Sequence, residues 1–188
     1  MDKLVDDILD FWTDAGMEGW YKQSPEFDDE IRSRFHEAWT QARDGEFSRW
    51  QLNARSALAL IILVDQFPRN MFRGDGASFS TDRMARCVAQ KALLRNFDKE
   101  IDGPMRQFFY LPFMHSECLM DQDSGVRAFI TRMPGTPNLL HARAHRQVIR
   151  DFGRFPYRND ALGRASTESE VAYLDAGGYG FTVQNMDK

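Results

Sequence analysis

The sequence predicts an all-α fold of seven to eight helices joined by short loops. Three observations carry this. Apolar residues recur at three- and four-residue steps in segment after segment, no segment alternates apolar and polar residues over strand length, and helix start and stop signals fall at ordinary helix spacing. Leu4, Val5, Ile8, Phe11 and Trp12 form one apolar stripe on a first helix, which Gly16 and Gly19 are expected to end. Ser24 and Pro25 read as an N-cap with proline at the first helical position, and Phe27, Ile31, Phe35, Ala38 and Trp39 carry a second helix to Gly45. From about Ala54 to Gln66 the residues are apolar nearly all round, as in a central helix covered on several sides. A buried strand over Leu60 to Val64 is the rival reading, disfavoured by the flanking alanines and by the length of the segment.

Thr81 and Asp82 start a helix carrying Ala85, Val88, Ala92 and Leu93. Pro104 opens the next, which is expected to bend at Pro112 and continue to Leu119, because apolar residues proceed on both sides without turn chemistry. Val126, Phe129, Ile130 and Met133 follow, then the turn Pro134-Gly135-Thr136-Pro137, then a helix through Leu139, Leu140, Val148, Ile149 and Phe152. Thr167 with Glu170 has the spacing of a capping box for a last helix, ended by Gly177-Gly178. This reads as one domain over residues 1–178 and an irregular tail over 179–188.

A chain of 188 residues, 43% hydrophobic, with fifteen phenylalanines and four tryptophans, can build a sizeable core. Its formal charge is −4 and its arginines are spread along the chain, so no nucleic-acid partner is expected. The longest apolar run, Ala57 to Val64, is far short of membrane length, and Asp2, Asp6, Asp7 and Asp10 leave no signal peptide at the start, so a cytoplasmic protein is expected, with no membrane partner. Cys87 and Cys118 have neither a close partner nor zinc spacing, and read as reduced thiols acting as small buried hydrophobes. No nucleotide-binding, serine-hydrolase or cysteine-pair motif is present, and no cofactor or metal is expected.

Two segments echo one another: Gln66-Phe67-Pro68-Arg69-Asn70 with Arg73-Gly74, and Arg154-Phe155-Pro156-Tyr157-Arg158-Asn159 with Gly163-Arg164. Each follows an apolar stretch, and each places arginine and asparagine just past a proline expected to stop the helix. Asp65 stands before the first proline, where helix carbonyls already make the surroundings negative, so it needs a cation from Arg69, Arg73 or Arg158. Two readings stand: an Asp-Arg clamp locking helix ends, or a ligand site shared by both turns. Asn70 and Asn159 either cap their own loops or orient a ligand. The segment Tyr110 to Glu117 adds His115 and Glu117, as hydrogen-bonded structural residues or as proton carriers. His141 and His145 have the i,i+4 spacing of paired metal ligands, but no glutamate of the metalloprotease pattern lies between them.

The stretches LALIILVDQFPRNMFRG (58–74), FFYLPFMHSE (108–117) and HRQVIRDFGRFPYRNDALGR (145–164), with Phe11-Trp12, Trp20-Tyr21 and Ser166-Thr167-Glu168, resemble the bacterial family known as domain of unknown function 924. The resemblance spans nearly the whole chain and implies a tetratricopeptide-like arrangement of helical hairpins, with no established activity. Asp65, Gln66, Arg69, Asn70, Arg73, His115, Glu117, His145, Arg154, Arg158 and Asn159 match its polar motif positions. Tyr157 stands where that pattern often has histidine and Cys118 where it often has aspartate.

The expectation is a polar pocket for a small anionic molecule, with Asp65, Arg69, Asn70, Arg73, Tyr110, Arg154, Arg158 and Asn159 as ligand-binding residues. His115, His145 and Glu117 are the catalytic candidates should chemistry occur there. The alternative is a helical-hairpin module that binds a protein partner or a second copy, with the Phe-Pro motifs as structural staples.

Overall fold

The computed structural model describes residues 2–186, and among them every regular element is helical, with no strand. Contacts concentrate within two compact units, one made of Met1–Arg73 and Ala77–Pro112, the other of Gly74–Gly76 and Phe113–Lys188. There are ten α-helices among the described residues rather than seven to eight, because the central helix divides in two and the C-terminal segment adds one more.

In the first unit, α1 (Lys3–Tyr21) starts on the Asp2 carboxylate, which accepts the Leu4 N–H at 3.2 Å. Gly16 breaks it, at φ 62° and ψ −178°, a conformation nearly reserved for glycine. The helix does not end there. It resumes to Tyr21, and the Trp20 indole donates to the Trp12 carbonyl across the break at 2.6 Å. α2 (Pro25–Arg43) is capped by the Ser24 hydroxyl, as its sequence predicts. α3 (Ala54–Ile61) starts on Asn53, and everything from Ala57 to Phe67 is buried, so the all-round apolar run is a central helix and not a strand.

Pro68 does not stop that helix. Residues Ile62–Gln66 form a π-turn that runs on into α4 (Phe67–Met71). A proline has no N–H for the carbonyl four residues earlier, and its ring crowds that carbonyl; a wider turn relieves the crowding. The freed Val64 carbonyl accepts the Thr81 hydroxyl at 2.6 Å, while Thr81 Oγ1 accepts the Trp39 indole N–H at 3.3 Å. Thr81 therefore precedes α5 (Asp82–Leu94) without capping it through its side chain. Phe67, the residue before the proline, is fully buried and meets Trp12 at 5.5 Å and Phe35 at 4.7 Å between ring centroids.

The helix expected to bend at Pro112 is absent. A 3-10 run over Gly103–Phe109 leads to a separate short helix, α6 (Leu111–Met114), with Pro112 in its first turn, where a missing N–H leaves nothing unsatisfied. Residues 115–118 are non-helical. The Gln122 amide holds this link by donating to the carbonyls of Met114 at 2.7 Å and Ser116 at 2.6 Å.

In the second unit, α7 (Leu119–Arg132) packs against α8 (Asn138–Phe152). α8 ends at Gly153, whose φ of 70° is the usual left-handed helix stop, so here glycine and not Pro156 terminates the helix. The two Phe-Pro motifs thus differ in setting, one inside a continuing helix and one in a turn with 3-10 geometry over Pro156–Arg158. α9 (Glu168–Asp175) carries the expected capping box of Thr167 and Glu170. The segment expected to be irregular from residue 179 is instead α10 (Gly178–Asn185): Tyr179, Thr182, Val183 and Met186 are half-buried at helical spacing, and the helix packs against α8. Asp187 and Lys188 lie outside the described residues. A Cβ added to Gly76 would stand 2.9 Å from the Ala161 carbonyl oxygen, so the chain passes there only because residue 76 has no side chain. Cys87 and Cys118 are exposed, not buried, on α5 and just before α7.

Candidate ligand site

The first motif is engaged with carboxylates of its own unit. Asp65 is fully buried, as helix packing on every side dictates, and takes hydrogen bonds from the Gln66 amide while Arg69 lies 3.5 Å from its carboxylate. One Arg69 nitrogen donates to the Asp65 carbonyl and the other to Asp82 at 2.9 Å. Asp28 on α2 takes a fork from Arg73, at 2.8 and 2.9 Å, and the Asn70 amide at 2.7 Å. Burial alone would raise the Asp28 pKa, but the hydrogen bonds from Arg73 and Asn70 outweigh it and hold the carboxyl below its ordinary range. Tyr110 is fully buried and donates to Asp98 at 2.8 Å.

The second motif separates into a carboxylate network and an aromatic cluster. Arg154 forks onto Glu170 at 2.6 and 2.7 Å and also donates to the Ala165 carbonyl. Those bonds, with the Thr167 N–H, hold the Glu170 pKa down at about 2. Glu117 takes a fork from Arg164 at 2.7 and 3.0 Å and the Phe155 N–H at 2.9 Å. Burial opposes ionisation of Glu117, yet the Arg164 and Phe155 hydrogen bonds, with the fields of Arg164 and Arg158, lower its pKa. Asn159 joins the two carboxylates, accepting from Arg164 at 3.0 Å and donating to Ser166 at 3.0 Å and Glu170 at 3.4 Å.

The aromatic cluster is built on Phe155, which is fully buried beside Val148 and Ile149. The Arg158 guanidinium lies over its ring, 4.5 Å from the centroid, His145 meets it edge-on at 5.6 Å, and Tyr157 stacks on it at 5.3 Å. Tyr179, delivered by α10, closes on His145 at 4.6 Å and Tyr157 at 6.3 Å, and its hydroxyl is 2.7 Å from His141 Nδ1. The i,i+4 spacing of the histidines on α8 is what puts both under one tyrosine.

His145 Nδ1 is 2.9 Å from the His141 carbonyl, which can only accept, so Nδ1 carries the ring proton. Desolvation pushes the His145 pKa down to about 3, and the fields of His115, Arg158 and His141 add to the effect against the opposing carbonyl bond. His145 is therefore a neutral imidazole at physiological pH.

Of the expected site residues, those brought together around one ring are His145 and Arg158, with His115 close enough for its charge to be felt by His145. Glu117, Arg154 and Asn159 form the adjoining network. The pairings described for Asp65, Arg69, Asn70, Arg73 and Tyr110 all fall within the first unit. Tyr179 and Phe155 are not among the residues expected from the sequence at this cluster, nor is Arg164 expected as the partner of Glu117; the second Phe-Pro motif and the His141–His145 spacing are the signals that point toward it. Among the described residues, no three histidine, cysteine, aspartate or glutamate side chains are grouped to hold a metal ion, and no helix is long and apolar enough to cross a membrane.

Comparison with known proteins gives a matching outline without an activity. Residues 8–178 match the model of a family described as bacterial protein of unknown function, DUF924. A solved structure of a protein of unknown function from Agrobacterium tumefaciens superposes with a TM-score of 0.89 at 40% sequence identity, covering 93% of this chain and 98% of that one. No curated protein matches.

Proposed function

Because the chain belongs to the bacterial family of unknown function DUF924, whose description supplies no activity, we propose from the geometry that it binds a small anion at the Arg158 cluster of the second unit. The observation that carries this reading is the guanidinium of Arg158 laid on the Phe155 ring beside the neutral imidazole of His145, with the phenols of Tyr157 and Tyr179 around them. A guanidinium offers a planar fork of donors to an oxyanion, and its stacking on a ring holds that fork in one orientation. Arg69, Arg73 and Arg154 serve as staples in the same reading, since each grips a carboxylate of its own unit. The two exposed, unpaired thiols fit the reducing cytoplasm expected from the sequence. The tetratricopeptide-like arrangement belongs to the same proposal, supported by α7 packed against α8 across the short Pro134–Pro137 turn.

The test is calorimetric titration of the purified protein with inorganic phosphate, acetate and phenylacetate, repeated with Arg158→Met. Saturable binding of at least one anion that weakens at least tenfold in the variant is expected. Binding unchanged by Arg158→Met would place the anion elsewhere, and the reading would be abandoned.

A further inference from the structure

A cavity of about 470 Å³ opens in the second unit where α8, α9 and α10 meet, a size typical of small-molecule sites. It exists because α10 folds back and packs on both α8 and α9. Much of its wall is aromatic. Phe152 of α8 and Tyr173 of α9 meet at 4.7 Å between ring centroids, and the Tyr173 hydroxyl is tied to the Thr182 hydroxyl of α10 at 3.0 Å. Phe181 of α10 lines the same cavity with 47% of its surface exposed. A ring left that open at the edge of an aromatic hollow gains apolar contact when a ligand covers it.

The charge of the cavity is one-sided. Asp151 lines it, and among the described lining residues there is no arginine, lysine or histidine. The Asp151 carboxylate accepts the Gln147 amide on Oδ1 at 2.7 Å, and among the described residues it makes no ion pair and no second hydrogen bond, so Oδ2 keeps its lone pairs. Asp151 also stands in the last turn of α8, where the final carbonyls add partial negative charge that favours a cation. Arg150, the residue before it, is about 100° round the helix and does not line the cavity, and Arg154 is committed to Glu170. The carboxylate is within electrostatic reach of the aromatic wall: burial raises the Tyr173 pKa, the Thr182 hydrogen bond opposes the rise and the field of Asp151 adds to it.

We propose that this cavity binds a small primary amine with an apolar body, its ammonium donating to Asp151 and its body lying against Phe152, Tyr173 and Phe181. An ammonium brings both things the cavity lacks, a positive charge and N–H donors for Oδ2, and the faces of the rings favour a cation beside them. An anion would meet Asp151 with no cation to answer it. The site is separate from the Arg158 cluster, and its fate is independent of anion binding there.

The experiment titrates the full chain by calorimetry at about pH 7.5, where an alkylammonium is charged as lysine is. Four probes separate charge from body: 2-phenylethylamine carries both, 2-phenylethanol the body without the charge, 3-phenylpropionate the body with the opposite charge, and methylamine the charge without the body. The first should bind about tenfold or more tightly than each of the others, the scale of one charge-assisted hydrogen bond. Asp151→Asn should remove that advantage, weakening 2-phenylethylamine by about tenfold while leaving 2-phenylethanol within about threefold. Phe181→Ala should weaken both in parallel. Asp151 and Phe181 are exposed, and unchanged circular dichroism would verify that the variants are folded. Should either fail to fold, the ratios among the four probes in the unaltered chain decide. No binding of 2-phenylethylamine, affinity no greater than that of 2-phenylethanol or methylamine, or binding indifferent to Asp151→Asn would overturn the proposal, and none of these results would bear on phosphate or acetate binding at Arg158.

Discussion

Removing the guanidinium of Arg69 takes away the charge that pairs with two carboxylates, the fully buried Asp65 and the nearly buried Asp82. Breaking a buried pair from one side typically costs about 3–5 kcal/mol. Arg69→Met should therefore lower the melting temperature by many degrees in differential scanning calorimetry. Arg158→Met should leave Glu117 ionised, because that carboxylate keeps the Arg164 fork and the Phe155 N–H. His145 carries a second prediction at this scale. Its folded pKa, about 3, lies below the ordinary value of 6.5, so the unfolded chain binds more protons between those values. The stability it contributes is fully present above pH 6.5 and is lost as the pH falls toward 3. Melting curves from pH 7 to 4 should decline less steeply for His145→Phe than for the unaltered chain. The need of Asp65 for a cation was legible in the sequence, because a carboxylate at the end of an apolar helix has few alternatives and Arg69 is one turn away. The grip of Arg164 on Glu117 was not: the pair is 47 residues apart, and no spacing rule connects them.

Among the elements, the ends written in local chemistry read correctly. Ser24-Pro25 and Thr167 with Glu170 depend on hydrogen bonds and dihedrals within a few residues, whereas Gly16, expected to end α1, only breaks it. Pro68, Pro112 and Pro156 did not read correctly, because a proline states only that one N–H is missing. Whether the helix stops, widens or merely begins depends on what answers the freed carbonyl. At Pro68 the answer is Thr81, from another element. Thr81→Val should leave the buried Val64 carbonyl and the Trp39 indole without this partner, at a cost of about 1–3 kcal/mol for the orphaned groups. Urea unfolding would measure it as a lower midpoint at unchanged slope. Thr81→Ser, which keeps the hydroxyl, should recover most of the loss. The tail was misread for a different reason: with two glycines before it, helical spacing of Tyr179, Thr182, Val183 and Met186 carries less weight than it should, and only packing against α8 makes it regular.

For the molecule as a whole, the tied carboxylates set the acid limit. Asp28, Glu117 and Glu170 all have pKa values lowered by arginine forks and N–H donors, Glu170 to about 2. Depressed carboxylate values contribute stability that is present above the unfolded values and lost as the pH falls through the folded ones. Far-UV circular dichroism during acid titration should show helix lost steeply below about pH 4. Glu170→Gln should shift that loss to higher pH, since Arg154 then lacks the charge it grips. The all-helical class was legible from periodicity alone; the grouping into two units was not, because it follows from contacts between residues far apart in the chain. One such contact constrains how the chain can be made. Gly74–Gly76 belongs with Phe113–Lys188, and Gly76 fits closely under the Ala161 carbonyl. During synthesis these three residues emerge long before their neighbours exist, so the second unit cannot be completed until the segment around Ala161 has left the ribosome and reached back to them. The second unit cannot be obtained by a single cut of the gene, and a permuted or truncated version of it must carry that three-residue loan with it.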